Sequence, residues 1–332
     1  MNSGRSFGSL ILEHQHYFVL SVIPIYLIIL TTLVPGDTHY WLTYEWIFPI
    51  AVLIAVVVNM VGISGATLFV PFFSLILPLF AFHFSPTESV IIGLFTQSFG
   101  ISSATLGFLR YGLVDFKVAA YSLIGVIPVV IISSSIAFFI PGKALFGLIS
   151  LALVISVISL MFSRHFVGDI GKEHSDNLTI IAHIHSANPE PTILTDRTGK
   201  VYSYCRCGYK KRLFGHSVGA FLQGLTGFGV GEIGMVSMIL SGIPMRVGIG
   251  TNHIVVATSA IIASFTYLFR SMGTEAVQIP WNVIAITVPA VLIGGQFAPL
   301  IADGIKTGIL EKLLIILLIG LAIALVIMGV IR

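Results

Sequence analysis

The chain has 332 residues, of which 56% are hydrophobic and 9% are charged, and its formal net charge is +3. Because soluble domains carry about 25% charged residues, this composition argues against a soluble enzyme, a disordered protein and a nucleic-acid-binding protein. We predict an all-α polytopic membrane protein that is surrounded by the lipid bilayer and has no nucleic-acid partner.

The first half of the chain contains apolar runs long enough to cross the roughly 30 Å hydrocarbon core of a membrane. An N-terminal segment, 1–45, holds one extra transmembrane helix at 17–34, and Pro24 predicts a kink in that helix. The following runs, in chain order, are 46–82, which glycines interrupt, and then 88–109, 117–140 and 144–163.

A polar insert, 164–212, separates the two apolar halves. It holds 13 charged residues, whereas the whole chain has 17 basic and 14 acidic residues. Within the insert, the segments Thr192–Thr195 and Val201–Cys205 flank the turn-forming residues Asp196–Gly199. This pattern predicts a short β-hairpin. The basic residues at the end of the insert predict a cytoplasmic location.

The chain's two cysteines, Cys205 and Cys207, lie at the end of the predicted hairpin. Reduced structural thiols are the favoured interpretation. A zinc site that also uses His183 and His185 is a weak alternative, because the spacing fits no standard zinc pattern.

The second half repeats the organisation of the first, with a glycine-broken run at 213–241 and spans near 247–270, 280–301 and 308–331. The sequence Gly62–Gly65 recurs 162 residues later as Gly224–Gly227. At an offset of 161 residues, Phe108, Gly112 and Pro128 recur as Phe269, Gly273 and Pro289. These matches predict a duplicated unit, with repeat one at 46–163 and repeat two at 213–332.

The orientation of the repeats follows from whether the glycine-broken runs cross the membrane. If each run is a re-entrant pair of half-helices, each repeat has an odd number of full spans and the two repeats are inverted. Lysine and arginine favour cytoplasmic loops, and the re-entrant arrangement fits that rule better than full crossings do. It places Arg5, Arg110, Lys117, Arg246, Lys306 and Lys312 inside, and Lys143, Arg270 and Arg332 outside.

The paired breaks predict an anion site. Lipid cannot bond the backbone N–H groups that a broken helix frees, so such breaks persist only where protein or a water-filled cavity lines them. A half-helix that starts at mid-membrane directs N–H groups and its positive dipole end toward an anion, and paired breaks mark transporter sites. Close helix packing is the alternative role for these glycines. The predicted substrate-binding residues are Gly62, Ser64, Gly65, Thr67, Gln97, Ser98, Gln223, Gly224, Thr226, Gly227, Gly229 and Asn252.

Glu232 and His253 are the ionisable residues that we predict to carry a coupling proton, because charged or titratable groups inside spans are costly and tend to be functional. A carboxylate at a wet half-helix end, or a histidine that only packs, is the alternative. No phosphate-binding loop ends in Lys-Ser/Thr, so no internal ATPase and no cofactor is predicted.

The order of several motifs resembles one family. The motifs are Gly62–Pro71 and Gly224–Gly231, followed by Gly112–Phe116, Gly250–Asn252 and Gly294–Gln296. With them the chain resembles the sulfite exporter TauE/SafE family of membrane transporters over most of its length. The resemblance implies secondary transport, commonly export, of small sulfur-containing anions across a bacterial plasma membrane. The long polar insert and the extra N-terminal span depart from the family pattern.

The leading hypothesis is therefore an alternating-access transporter for sulfite or an organosulfonate, with the paired breaks as a midplane site. One alternative is an intramembrane enzyme that uses Glu232 and His253 as an acid–base pair. The other is an anion channel, which requires a continuous polar lining or a ring of bases.

Overall fold

A computed structural model describes residues 14–80, 82–170, 191–272, 277–302 and 307–331. The chain is mostly helical. The helices before the insert are α1 (Gln15–Leu33), α2 (Thr38–Leu42), α3 (Ile47–Val61), α4 (Ala66–Pro71), α5 (Pro86–Arg110), α6 (Phe116–Ala137) and α7 (Gly142–Ile170). The insert contributes β1 (Pro191–Thr195) and β2 (Val201–Cys205). The helices after it are α8 (Tyr209–Thr226), α9 (Val230–Ile239), α10 (Met245–Met272), α11 (Trp281–Ala302) and α12 (Thr307–Ile331).

The prediction of a polytopic membrane protein is confirmed. In the described part of the chain, seven helical segments are long and apolar enough to cross a membrane. They are α1, α2 with α3, α5, α6, the first part of α7, α10 and α11. In contrast, α4 with its π-helical and 3-10 continuation to Phe80, and α9, are apolar helices of less than spanning length.

Two of the long helices begin at caps that the local sequence encodes. Ser85 and Glu88 form a reciprocal capping box at the start of α5, where Glu88 accepts the Ser85 N–H over 2.7 Å. Asp115 caps α6 by accepting the backbone N–H groups of Lys117 and Val118 over 3.1 and 3.2 Å. Such caps satisfy amides that the first turn of a helix leaves without a partner.

Helices from the two sides of the insert interleave in a reciprocal pattern. α3 packs against α11, and α8, which follows the insert, packs against α6. α5 packs against both α10 and α11, α10 also packs against α6, and α7 packs against α12. The N-terminal helix α1 lies at the edge of the bundle against α11, where Tyr26 donates its hydroxyl to Ile284 O over 3.2 Å. Large exposed side chains on α1, such as Ile28 and Leu33, suit a lipid-facing surface.

The predicted β-hairpin is also confirmed. β1 and β2 pair antiparallel, from Pro191 opposite Cys205 to Thr195 opposite Val201. Asp196 holds the turn, since its Oδ1 accepts the backbone N–H groups of Thr198 and Lys200 over 2.9 and 3.0 Å. His183 and His185, the other residues of the weak zinc alternative, lie outside the described residues.

Close packing of α11 on α5 gives a stability prediction. A Cβ added at Gly295 would lie 2.5 Å from Gly100 O, whereas one added at Gly147 in α7 would meet nothing within 4 Å. We expect Gly295→Ala to lower the free energy of unfolding by about 1–3 kcal/mol through overpacking. The control Gly147→Ala should leave it unchanged or raise it by about 0.5–1 kcal/mol. Denaturant titration in detergent micelles measures both, and equal stability of the two variants would contradict the packing described.

Candidate functional site

Both glycine clusters end a helix inside the bundle. Gly62 closes α3 with a φ of 82°, and Gly227 closes α8 with a φ of 93°. Gly229, immediately before α9, has a φ of 139°. Residues with a Cβ rarely adopt these left-handed conformations, so glycine allows each break without steric strain in the backbone. The two predicted interruptions are therefore present in the structure.

The two breaks touch each other directly. A Cβ added at Gly231, at the start of α9, would lie 2.6 Å from the backbone N of Ser64 in the first break. A Cβ at Gly227 would lie 3.3 Å from Val70 Cγ2 on α4. The clusters that the sequence pairs by position thus pack together in space, and the absence of side chains is what permits the approach.

Glu232 crosses from the second break to the first. Its side chain is buried, with 2% of the residue exposed. Glu232 Oε1 accepts the backbone N–H of Ser64 over 3.2 Å and the hydroxyl of Thr67. A carboxylate carried by α9 therefore lies at the start of α4, where a helix offers N–H groups to an anion. The donors at this oxygen are a backbone amide and a hydroxyl rather than a cation.

Gln97 on α5 fills the neighbouring position. Its Oε1 accepts the backbone N–H of Ala66 over 2.7 Å. Together with Asn59, Thr96 and Gly65, Gln97 lines a small cavity with room for about one water molecule. The first break thus presents two backbone N–H groups, each bonded to a side-chain oxygen from a different helix.

Several buried polar atoms at this site have no hydrogen-bond partner within the described part of the chain. They are Ser64 Oγ, Gln97 Nε2 and Glu232 Oε2. The serine hydroxyl and the glutamine amide are donors, which suit an oxyanion, while the second carboxylate oxygen suits a proton. These three atoms, the two bonded amides and the Thr67 hydroxyl make up what we call the break site (Ser64, Ala66, Thr67, Gln97 and Glu232).

Two other predicted residues, Asn252 and Gln223, lie near the breaks but form hydrogen bonds outside the break site. Asn252 donates to Gly231 O over 2.8 Å, and its Oδ1 lies 3.3 Å from His216 Nε2. Gln223 donates to Ser259 Oγ over 2.8 Å. These contacts hold α8, α9 and α10 together around the second break, and substrate-binding roles for Asn252 and Gln223 stay predictions.

Three further candidates have local or packing roles in this structure. Thr226 and Ser98 donate their hydroxyls to carbonyl groups of their own helices, Leu222 O and Phe95 O. A Cβ at Gly224 would lie 2.7 Å from Ser134 N, so this glycine allows α8 to approach α6. The close-packing alternative that the sequence left open describes Gly224 well.

His253 has different surroundings from Glu232. Its ring centroid lies 4.6 Å from that of Phe108, and its Nδ1 lies 2.8 Å from Ile249 O. Glu232 Oε1 instead accepts hydrogen bonds from Ser64 and Thr67. The structure therefore does not bring the two groups together as an acid–base pair.

Cys205 and Cys207 form a disulfide, with their Cα atoms 5.1 Å apart. The expectation of reduced thiols is therefore wrong for this structure, and the sulfur atoms are not thiolate ligands for a metal. A spacing of two residues lets the Cα atoms approach within disulfide range. In the described residues, no cluster of three or more histidine, cysteine or acidic side chains has metal-binding geometry.

Sequence reasoning missed an ion pair that anchors the hairpin. Asp115 is 2% exposed, and its Oδ2 accepts the Tyr204 hydroxyl over 2.7 Å and Arg206 Nε over 2.8 Å. Its backbone N–H donates to Thr251 Oγ1 on α10 over 2.9 Å. Asp115 thus joins α6, the hairpin and α10. An aspartate at a helix start signals a cap, but the sequence offers no signal for its distant partners.

Arg212, one of the basic residues at the end of the insert, is buried, with 1% exposed. Its guanidinium donates to Arg206 O over 2.9 Å and to Cys207 O. A buried arginine needs such acceptors because its charge cannot be lost at ordinary pH. Arg212 therefore holds the segment that follows the hairpin.

The electrostatics of Asp115 follow from these contacts. Burial acts to raise the pKa of Asp115, but hydrogen bonds from Arg206 and Tyr204 outweigh it and hold the pKa below its usual value. A carboxyl with a lowered pKa stabilises the folded state above its unfolded pKa, about 3.9. That stabilisation is lost as the pH falls through the lower, folded-state pKa.

In this structure, apolar spans surround two broken helices whose polar groups meet in the interior. This architecture is typical of polytopic membrane transporters. A family model, Sulfite exporter TauE/SafE, matches residues 47–325, and the chain belongs to this family. The resemblance noted from its motifs is thereby confirmed. Neither a curated protein nor a solved structure matches the chain significantly. Membership implies an anion transporter of the membrane rather than an enzyme.

The lowered pKa of Asp115 predicts how the hairpin responds to acid. Hydrogen–deuterium exchange of 192–205, corrected for the intrinsic rate, should stay constant from neutral pH down to about pH 4 and rise below it. Asp115→Asn should raise this exchange about tenfold at neutral pH, because a charge-assisted bond worth roughly 1.5–3 kcal/mol is weakened.

The matched control is Asp37→Asn, which alters an exposed helix cap of α2. It should leave the exchange of the hairpin at its wild-type value at every pH. A wild-type hairpin whose exchange does not change between pH 4 and pH 2 would contradict the proposed role of the Asp115 charge.

Proposed function

We propose that this protein exports a small sulfur-containing anion, such as sulfite or an organosulfonate, by alternating access around the break site. The observation that carries the proposal is the pair of bonds at the start of α4. There the backbone N–H groups of Ser64 and Ala66 hold Glu232 Oε1 and Gln97 Oε1. Two oxygens supplied by the protein thus take the positions that two oxygens of a bound sulfite or sulfonate would take.

This arrangement gives Glu232 a role in coupling. While its carboxylate is ionised, it competes with the substrate for the Ser64 N–H and the Thr67 hydroxyl. Protonation removes its charge and weakens these bonds, which frees the donors for an anion. The Ser64 hydroxyl and the Gln97 amide, both buried, supply further donors. The anion and the proton on Glu232 would then occupy the site together.

The repeat organisation is part of the proposal. We assign repeat one to 46–163 and repeat two to 213–332, inverted relative to each other, with each broken helix pair re-entrant. Reciprocal packing supports this assignment, because α3 against α11 and α8 against α6 are the corresponding contacts of two related halves. Rocking of one repeat against the other would expose the break site to alternate sides.

The proposed location is a bacterial plasma membrane, with the polar insert 164–212 in the cytoplasm and α1 as an addition at the edge of the bundle. The distribution of lysine and arginine outside the insert supports this orientation. An anion leaving an inside-negative cell moves with the membrane potential, so its export needs no ATP-driven step.

Flux measurements in proteoliposomes separate the three classes of function. Saturable exchange of labelled sulfite against unlabelled sulfite indicates a carrier, very fast unsaturable flux indicates a channel, and formation of a product indicates an enzyme. We expect saturable exchange, with competition among sulfite, thiosulfate, isethionate and sulfoacetate identifying the preferred anion. Failure of every one of these anions to exchange would contradict the proposed substrate class.

The coupling role predicts the behaviour of Glu232→Gln. Wild-type exchange should rise as the pH falls, because protonation of Glu232 frees the donors of the first break. The glutamine variant should exchange at a rate that is independent of pH over the same range. Glu45→Gln, a change at an exposed carboxyl outside the site, is the control and should keep the wild-type profile. An unchanged pH profile in Glu232→Gln would remove this residue from the mechanism.

The binding role predicts the behaviour of Gln97→Leu. Loss of the amide removes one donor to the anion and the acceptor for Ala66 N–H. A hydrogen bond to a charged group contributes about 1.5–3 kcal/mol, so the half-saturating concentration should rise at least about tenfold. Thr105→Val is the control on the same helix, since the Thr105 hydroxyl donates only to Ile101 O. Equal half-saturating concentrations in the two variants would place the anion elsewhere.

A further inference from the structure

The β-hairpin lies against helix ends from both sides of the insert. At the end of α5, Tyr111 O accepts the backbone N–H of Arg197 over 3.0 Å. Tyr202 and Tyr204 pack in one apolar cluster with Phe108, Leu113, Val114 and Val118 from before the insert and Met238, Ile243 and Val247 from after it. The hairpin therefore bridges the two halves of the bundle.

The segment Cys205–Cys207, which we call the disulfide turn, fastens this bridge. Arg206, between the two cysteines, pairs with Asp115 over 2.8 Å. The carbonyl groups of Arg206 and Cys207 accept the guanidinium N–H groups of Arg212. The disulfide closes a small ring that contains Arg206 and so restricts its backbone. That backbone directs the Arg206 side chain toward Asp115, before the insert, and the carbonyl groups of Arg206 and Cys207 toward Arg212 on α8.

One cysteine of the disulfide turn is more exposed than the other. Cys205 is 2% exposed, whereas Cys207 is partly exposed. The surrounding sequence is basic, with Arg206, Lys210 and Lys211 close in the chain. Cationic surroundings attract anionic nucleophiles and favour a thiolate leaving group. A nucleophile from solution therefore has easier access to Cys207 than to the buried Cys205.

We propose that the Cys205–Cys207 disulfide is a modification site for small anionic sulfur nucleophiles, sulfite or a thiolate, and that its cleavage releases the hairpin from the bundle. The nucleophile's sulfur lone pair forms a bond to Cys207 Sγ, the Cys205–Cys207 bond breaks, and its electron pair leaves on Cys205 as a thiolate. With sulfite, Cys207 becomes an S-sulfonate. With a thiolate, Cys207 becomes a mixed disulfide that a second thiolate reduces.

The reaction is reversible within the same turn. The Cys205 thiolate can attack Cys207 Sγ, expel the sulfite or thiolate and form the disulfide again. Opening of the ring frees the backbone of Arg206 from its fixed position. An S-sulfonate on Cys207, the next residue in the chain, adds a negative group that competes with Asp115 for the arginine. Both changes weaken the Asp115–Arg206 pair, so the bridge between the halves loosens when the disulfide is open.

The test uses the full-length protein in detergent, treated separately with sulfite, dithiothreitol or sulfate. Sulfate has a similar charge but no nucleophilic lone pair on sulfur. We expect sulfite to add the mass of one H2SO3, with the S-sulfonate on Cys207 in peptide mapping, and dithiothreitol to give two thiols. Both reagents should raise the exchange of 192–205 about tenfold, which corresponds to the loss of one charge-assisted hydrogen bond. Sulfate should have no effect.

Two variants separate the chemistry from the release of the hairpin. Cys205→Ser with Cys207→Ser should show the raised exchange without any reagent and should not respond to sulfite. Arg206→Gln keeps the disulfide, so it should still take up sulfite, but its hairpin should exchange rapidly before treatment. The reaction does not depend on which anion the membrane bundle carries, so its outcome is separate from that of the transport experiments.

Three results would overturn the proposal. The first is free alkylation of both cysteines in protein purified without reductant, which would mean that no disulfide exists. The second is an S-sulfonate on Cys205 instead of Cys207, and the third is unchanged exchange of 192–205 after the disulfide has been cleaved.

Discussion

The constraint on which the rest of the structure depends is that a backbone N–H inside a membrane must have an acceptor. The end of a helix at Gly62 leaves such groups without an acceptor in the helix. Glu232 Oε1 accepts the N–H of Ser64, and Gln97 Oε1 accepts the N–H of Ala66. Those two bonds require α9 and α5 to approach the first break closely. The glycines that allow the approach, such as Gly231, are therefore a consequence of the same requirement.

Sequence reasoning predicted what local signals encode. Apolar length gave the spans, turn chemistry gave the hairpin, and glycine clusters gave both helix breaks, because each of these depends on residues close together in the chain. Glu232 stood out as a carboxylate in an apolar segment. Ser64 was also a candidate residue, but its contact with Glu232 was not predicted, since the two lie 168 residues apart and a serine amide has no distinctive sequence pattern. The Asp115 pair with Arg206 escaped notice for the same reason.

Buried hydroxyls illustrate why composition alone did not define the site. In a membrane the hydroxyl of a serine or threonine can find its hydrogen-bond acceptor in a carbonyl of its own helix, as in Ser98 and Thr226. Thr67 instead donates to Glu232, because it lies in the first turn of α4, beside the break. Position relative to the helix end, rather than residue type, decides which hydroxyl remains for a ligand.

The hairpin and the break site share one turn of α10. Thr251 accepts the backbone N–H of Asp115, which anchors the hairpin, and the next residue, Asn252, donates to Gly231 O beside Glu232. On the other side, His216 lies 2.9 Å from Arg212 O and 3.3 Å from Asn252 Oδ1. A displacement of α10 that alters the second break must therefore also strain the anchor of the hairpin. The polar insert is thus linked through Asp115 to α10, the helix that contacts α9 beside Glu232, and a change in either is transmitted through contacts one residue apart.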